Sequence, residues 1–303
     1  MKKLSDSQLM LLTGVASVLT AVLLISIKIV AWYLSGSVAM LAPLVDSLMD
    51  AAASVVNLLA IRYSLVPADS EHRFGHGKAE ALAGLGQAVL ITLSAAFLLN
   101  ESVGRLLSPQ PMQATTLAIG VMIASIVITV LLLRLQYYTV KRTGSTAVEA
   151  DSLHYLSDVA MNGGILLALI GAAYGWLWLD GLTGFLIGLY VLRAAWKVGY
   201  QSVQLLLDRE MPAEVRHVIA GIVAEHPLAL GFHQLRTRES GRTCFIQMHV
   251  DMDENLTLRD AHALVDSIEK RIHEHFPDAD VLIHQDPVKV APTVPVQDQP
   301  PYE

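Results

Sequence analysis

Asp46 and Asp50 stand four residues apart in the second of six long apolar stretches, and His154 and Asp158 repeat that spacing in the fifth. Residues at i and i+4 lie one turn apart on one helix face, so each pair presents two polar groups side by side. An unpaired charge at membrane depth costs ~2.5–3.5 kcal/mol even on insertion-based scales. Three acids and a histidine therefore need a compensating partner, and neither of these two faces carries a lysine or arginine. A bound cation would serve. Three oxygens and one nitrogen suit tetrahedral Zn²⁺ or a related first-row divalent ion. Ca²⁺ prefers more oxygens and Mg²⁺ an octahedral oxygen shell, so both fit badly. These ligands bind metal in their deprotonated forms, so binding releases protons, and imidazole exchanges protons near neutrality. Asn57, eleven residues after Asp46, falls ~20° from it around the helix at ~100° per residue. Hydrogen bonding between helices is the simpler reading for Asn57.

The stretches that must position these groups are long enough to cross a bilayer, which takes about 20 mostly apolar residues. They run over residues 8–34, 37–63, 79–107, 115–140, 145–174 and 177–207. A turn at Ser35-Gly36-Ser37 separates the first two, and Pro109 and Pro111 end the third. The first is too long for a signal peptide and lacks a small-residue cleavage site, so it reads as a retained helix. The first half of the fifth, residues 147–154, is too polar to face lipid, and a five-span chain with a long loop is the alternative. Basic residues fix the orientation by the positive-inside rule. Lys2, Lys3, Arg62, Arg73, Lys78, Lys141, Arg142 and Arg209 fall on one side and Arg105 on the other, which predicts six spans with both termini in the cytoplasm.

Composition supports a membrane protein. Of 303 residues, 53% are hydrophobic and 16% charged, against about 25% charged in soluble domains. The net charge of −7 argues against nucleic-acid binding. The single cysteine, Cys244, excludes an intramolecular disulfide framework and a cysteine zinc cluster.

After Leu207 the composition turns soluble. Residues 208–290 predict a small α+β domain in the order α-β-β-α-β, of ferredoxin or metallochaperone type. Helices are expected at 213–225, with Pro212 at the start, and at 258–275. Strands are expected at 232–239 and 243–252 around a Ser240-Gly241-Arg242 turn, and at 280–285, stopped by Pro287. The proline-rich residues 291–303 read as a disordered tail, leaving domains of 1–207 and 208–290.

Histidines concentrate in the polar parts. Asp69, His72 and His76 lie within eight residues of the loop after the second stretch, close enough to converge on one ion. In the second strand the even positions 244–250 are apolar, so His249 points to the opposite face. His284 and Asp286 share a face of the last strand. His233 begins the first strand and His262 lies early in the second helix. His217, His226, His273 and His275 read as solvated helix residues.

Together these residues resemble the cation diffusion facilitator family, in its bacterial ferrous-iron/zinc efflux branch. The strings that carry the resemblance are Leu44-Val45-Asp46-Ser47-Leu48-Met49-Asp50, Arg73-Phe74-Gly75-His76-Gly77-Lys78-Ala79-Glu80, His154-Tyr155-Leu156-Ser157-Asp158 and Ile283-His284-Gln285-Asp286-Pro287. The resemblance spans residues ~10–290. It implies a proton-coupled divalent-metal exporter in the bacterial inner membrane, working by alternating access, with Asp46, Asp50, His154 and Asp158 holding the transported ion. The histidine favours Zn²⁺, with Fe²⁺ and Cd²⁺ as further substrates. It also implies a second site at Asp69, His72 and His76. A binuclear zinc site at His233, His249, His262, His284 and Asp286 is implied as well, with Asp286 as bridge. A homodimer joined through the soluble domains and an interlocking salt bridge of Lys78 with Asp208 complete what it implies.

An intramembrane metalloenzyme is a poor alternative. No His-Glu-x-x-His occurs, and four protein ligands leave no vacant coordination position. A Na⁺/H⁺ exchanger would not need the histidines outside the membrane. A membrane-bound metal sensor without transport would not need ligands at mid-membrane. No Walker motif points to ATP as the energy source. Roles for Asn57 and Glu149 are not defined by the sequence.

Overall fold

The computed structural model describes residues 4–35, 41–108 and 116–289, with the side chains of residues 34, 35, 41–46 and 118 outside that set. The Asp46 side chain, the turn through Gly36 and Ser37, the Pro109/Pro111 stop and the tail from residue 291 therefore lie outside the described residues. The chain divides into two compact units, residues 1–203 and 204–303.

The first unit is built from six helices: α1 (Asp6–Ser35), α2 (Leu41–Ser64), α3 (Lys78–Leu107), α4 (Thr116–Thr143), α5 (Thr146–Ala173) and α6 (Trp178–Leu206). Among the described residues, α1, α3, α4, α5 and α6 are long and apolar enough to cross a membrane. The helix outside that set is α2, which carries Asp46, Asp50, Asn57 and Arg62. The polar start of α5 does not interrupt it. Ser145 caps the helix by accepting a hydrogen bond from the Val148 N–H at 3.3 Å, and the helix runs without a break to Ala173. The polar first half of this segment is therefore helix and not loop.

Helix α6 packs antiparallel on α3 along a seam of small residues. A Cβ placed on Gly181 would meet the Leu106 backbone nitrogen at 2.7 Å and the Ser102 carbonyl oxygen at 3.0 Å, and one on Gly188 would meet Leu99 at 2.8 Å. In lipid no hydrophobic force drives helices together, so close backbone approach at small residues supplies the packing. Arg105, near the end of α3, closes the same pair of helices on Asp180 of α6 at 2.7 Å.

The second unit runs α7 (Ala213–Ala224), β1 (Gly231–Ser240), β2 (Thr243–Asp253), α8 (Leu258–His275) and β3 (Asp280–Val288). The sheet order is β1-β2-β3. Strands β1 and β2 form an antiparallel hairpin turned at Gly241, whose φ of 60° suits glycine. Strand β3 returns through α8 to lie parallel to β2. Ile246, Met248, Val250 and Met252 of β2 are buried against Ile219 of α7 and Ile268 of α8, so the even face is the core face. Phe245 departs from the alternation. It is buried on the other face under the Arg238 guanidinium, 4.4 Å from its ring centroid. Pro287 does not stop β3. It pairs with Met252, and the strand continues to Val288. As an edge strand β3 needs no N–H on its outer side, which is where a proline is tolerated.

Gly181→Ala should lower the stability of the helical unit by about 1–3 kcal/mol, the usual cost of overpacking. Gly104→Ala, on α3 with nothing within 4 Å of its Cβ position, should not. Thermal unfolding of the two variants in detergent checks this.

Candidate metal centres

Helices α2 and α5 bring the intramembrane pairs together. His154 Nε2 lies 2.9 Å from Asp50 Oδ1 and 3.9 Å from Asp158 Oδ2. One ligand atom each from Asp50, His154 and Asp158 falls within 4.8 Å of the others. Asp46 lies one turn before Asp50 on α2. The rotation of α5 is fixed beside this cluster. Tyr155 is fully buried, and its hydroxyl donates to the Ser17 carbonyl of α1 at 3.1 Å and sits 2.9 Å from Ser54 Oγ of α2. The side chains of the three described ligands remain about one-fifth exposed, so the cluster is accessible to a small ion.

One neighbour was not legible in the motif. Lys28 of α1 donates to Ser47 Oγ of α2 at 2.5 Å, beside the acid pair. The acidic faces of α2 and α5 hold no cation, but a third helix brings one. Asn57 is 3% exposed and its Oδ1 has no hydrogen-bond partner. Glu149 is engaged away from the cluster, with Lys197 of α6 at 3.3 Å.

The loop between α2 and α3 folds Asp69, His72 and His76 into one group within 4.8 Å. Gly75, at φ 76°, permits the tight turn that brings His76 back toward Asp69. Asp69 Oδ1 accepts the backbone N–H of His72 at 2.6 Å and of Glu71 at 2.9 Å. These bonds, that of His72 foremost, hold its carboxyl below the usual carboxylate range. The carboxylate is thus ionised near neutral pH. His76 Nδ1 lies 3.2 Å from the Val66 carbonyl, which can only accept. That bond leaves Nε2 as an acceptor facing Asp69 Oδ2 at 3.5 Å. Two acceptors set face to face fit a cation between them.

In the second unit the sheet register makes the cluster. His233 pairs with His249 and His249 with His284, so three histidines stand in one row across three strands. Asp286 sits among them, with Oδ2 at 2.8 Å from His249 Nδ1 and 3.3 Å from His233 Nε2, and Oδ1 at 3.2 Å from His284 Nε2. A carboxylate with different imidazoles on its two oxygens has the donor set of a bridging ligand between two ions. A β-bulge after His233, with Gln234 at φ 51°, turns the strand there.

Asp251 was missed. Its Oδ1 lies 3.5 Å from His233 Nδ1, and it pairs in register with Asp286. Its place two residues after His249, on the same strand face, was the available signal. His262 is not brought to this group. It is exposed on α8, 3.5 Å from Asp266. His273 pairs with Glu269, His275 Nδ1 donates to the Arg271 carbonyl, His226 accepts from the Leu228 N–H, and His217 is exposed. Burial pushes the Cys244 thiol up to about 11, so it stays protonated near neutrality, and it belongs to none of the metal-ligating groups among the described residues. Lys78 opens α3 in the first unit. Asp208, in the second, accepts from Arg238 at 3.2 Å.

Left-handed backbone at Gln234 makes a discriminating pair of variants. Gln234→Gly should keep the bulge, raising stability by up to ~1 kcal/mol. Gln234→Val should force the strand out of it and move His233. Zinc content of the two purified full-length variants, with the Asp69, His72 and His76 ligands replaced by alanine in both, checks this. The valine variant should bind less.

Residues 14–207 match the cation efflux transmembrane domain, and residues 211–288 match the cytoplasmic domain of cation efflux proteins. The chain is 50% identical to a cation-efflux pump FieF of Shewanella oneidensis over 92% of this chain and 94% of that protein. It is likewise 50% identical to the FieF pumps of Cronobacter sakazakii and Salmonella newport, over 92% of this chain and 93% of each. Cation efflux is transport and not catalysis. With both domains matched in order and relatives half identical along nearly the whole length, the chain belongs to the cation diffusion facilitator family and is a multi-pass cation-efflux transporter of the FieF-like branch.

Proposed function

We propose that this transporter exports Zn²⁺, with Fe²⁺ and Cd²⁺ as further substrates, from the bacterial cytoplasm across the inner membrane in exchange for protons. Asp46, Asp50, His154 and Asp158 would hold the ion and face the two sides in turn. The observation that carries this reading is the meeting of Asp50, His154 and Asp158 within 4.8 Å inside the helical unit. Moving two charges out against 100 mV costs about 4.6 kcal/mol, at ~2.3 kcal/mol per charge. The same ligands must lose protons to take the ion and can regain them to release it. Protons moving inward at this site would offset the electrical cost. A metal sensor without transport would need no ligand group at this depth.

The other clusters support a two-step use of metal. Asp69, His72 and His76 form a largely exposed group whose ion would exchange readily. His233, His249, His284 and Asp286 would hold resident zinc in the cytoplasmic domain. Bound there, zinc supplies positive charge and fixed coordination geometry. The chain supplies a row of imidazoles around Asp286 that orders three strands at once. We place the two-fold homodimer contact in this domain, so that zinc binding would tighten the dimer and bias the membrane helices through differential affinity for two states. The pairing of Lys78 with Asp208 and a cytoplasmic location for both termini belong to the same reading.

Zinc flux into or out of reconstituted vesicles should follow an imposed pH gradient and vanish in Asp50→Ala. Wild-type flux indifferent to the gradient would remove proton coupling, and undiminished flux in the variant would remove the site. His249→Ala should lose zinc-dependent dimer tightening while keeping the gradient-driven flux. Normal tightening in that variant, followed by analytical ultracentrifugation, would remove the regulatory role.

A further inference from the structure

Glu80 stands in the first turn of α3 and belongs to none of the three metal clusters. It is 5% exposed. The hydroxyl of Ser145, at the start of α5, donates to its Oε2. Ser64 Oγ, on the last residue of α2, lies 3.1 Å from its Oε1. One carboxyl group on α3 therefore joins α2, which carries Asp46 and Asp50, to α5, which carries His154 and Asp158.

These contacts lie at one end of the helical unit. Helix α2 ends there, and α3 and α5 begin there, on the side where α1 starts and α6 ends. Ser145 precedes His154 by nine residues and Ser64 follows Asp50 by fourteen, so the ligands lie ~14–21 Å further in at ~1.5 Å per residue. The joined ends stand between this face of the unit and the ligands. One turn after Glu80, a Cβ on Gly84 would meet the Thr146 carbonyl oxygen of α5 at 3.4 Å and Ser202 Oγ of α6 at 2.7 Å. Deeper still, Ala88 of α3, Ala150 of α5 and Val198 of α6 pack in one buried cluster. Small residues thus close α3 onto α5 behind the carboxyl group.

The bonds can release without stranding a polar group. Ser64 Oγ also lies 2.8 Å from the Ile61 carbonyl of its own helix. Ser145 Oγ also accepts the Val148 N–H, which caps α5. Each serine keeps a partner inside its own helix if α3 withdraws, and Glu80, at a helix end, then meets water. The usual cost of parting a buried polar contact is a group left unpaired, and here that cost is avoided.

We propose that Glu80 is a latch. Joined to Ser64 and Ser145, it keeps the ends of α2 and α5 closed on α3, and it releases them when the ligand site opens to the side where α1 starts and α6 ends. It is a positioning residue and does not touch the ion. The proposal rests on the reading that the site faces the two sides in turn, and its first test needs no ion flux.

Ala150→Cys, combined with Cys244→Ser in the full-length chain, places a single thiol in the closed cluster, where Ala150 is 0% exposed. A membrane-impermeant maleimide is applied to vesicles on the face where α1 starts. Adding Glu80→Ala should speed labelling tenfold or more, and adding Ser64→Ala should speed it less. Both substitutions act on one contact, so the combined variant should label no faster than Glu80→Ala alone, whereas independent effects would multiply. In the same variants KM for zinc supplied on that face should fall severalfold and kcat should fall with it. The open state is then more populated and has to be left in every cycle. Labelling unchanged in folded Glu80→Ala and Ser64→Ala, effects that multiply in the combined variant, or a raised KM would overturn the latch. Flux that persists in Asp50→Ala would strike the transport-site reading alone and leave the labelling result standing.

Discussion

The cost of placing charge where water is scarce organises this structure. Three groups of ionisable residues described inside the helical unit sit beside something that can lower that cost. Asp50, His154 and Asp158 face one another, Lys28 reaches Ser47 beside the acid pair, and Asp151 collects the amides of Gln87 and Gln136. These are three physically distinct solutions. The first is open to a cation, the second places a resident cation near the acids, and the third surrounds the carboxyl group with hydrogen-bond donors. The difference lies in access. The ligand side chains of the first group are about one-fifth exposed, while Asp151 is sealed. A site meant to load and release an ion cannot be satisfied by the protein alone, whereas a structural contact must be.

In the second unit, strand register takes the place of helix spacing. Pairing β1 antiparallel and β3 parallel to β2 aligns His233, His249 and His284 in one row and leaves Asp286 among them. The row depends on the buried even positions of β2, because a slip of one residue would turn every side chain to the other face. Core packing and ligand placement are therefore the same constraint read from opposite faces of one sheet. The bulge at Gln234 is the local adjustment that aims His233.

Much of this was legible in the residues. The i,i+4 pairs, the six long stretches and the α-β-β-α-β order follow from periodicity and composition, since burial acts on the same residues that set the pattern. What was not legible depends on contacts between elements. Lys28 lies 18 residues before Asp46 in a stretch that reads as plain lipid-facing helix, and only packing of α1 on α2 brings it to Ser47. Asp251 carries no motif of its own, and the parallel register is what sets it beside Asp286. Pro287 reads as a strand end because its missing N–H weakens a ladder, yet on an edge strand the loss falls on the unpaired side. Asp151 read as part of a polar helix start, and the amides that surround it come from two other helices.

The central claim is that one imidazole and carboxylates from α2 and α5 hold the transported ion. Zinc-edge X-ray absorption on full-length protein, with the ligands of the other two clusters replaced by alanine, tests it most directly. The expected result is a four-coordinate oxygen/nitrogen shell with the outer-sphere scattering of a single imidazole, lost in His154→Ala. A shell without imidazole, or one unchanged by that substitution, would contradict it.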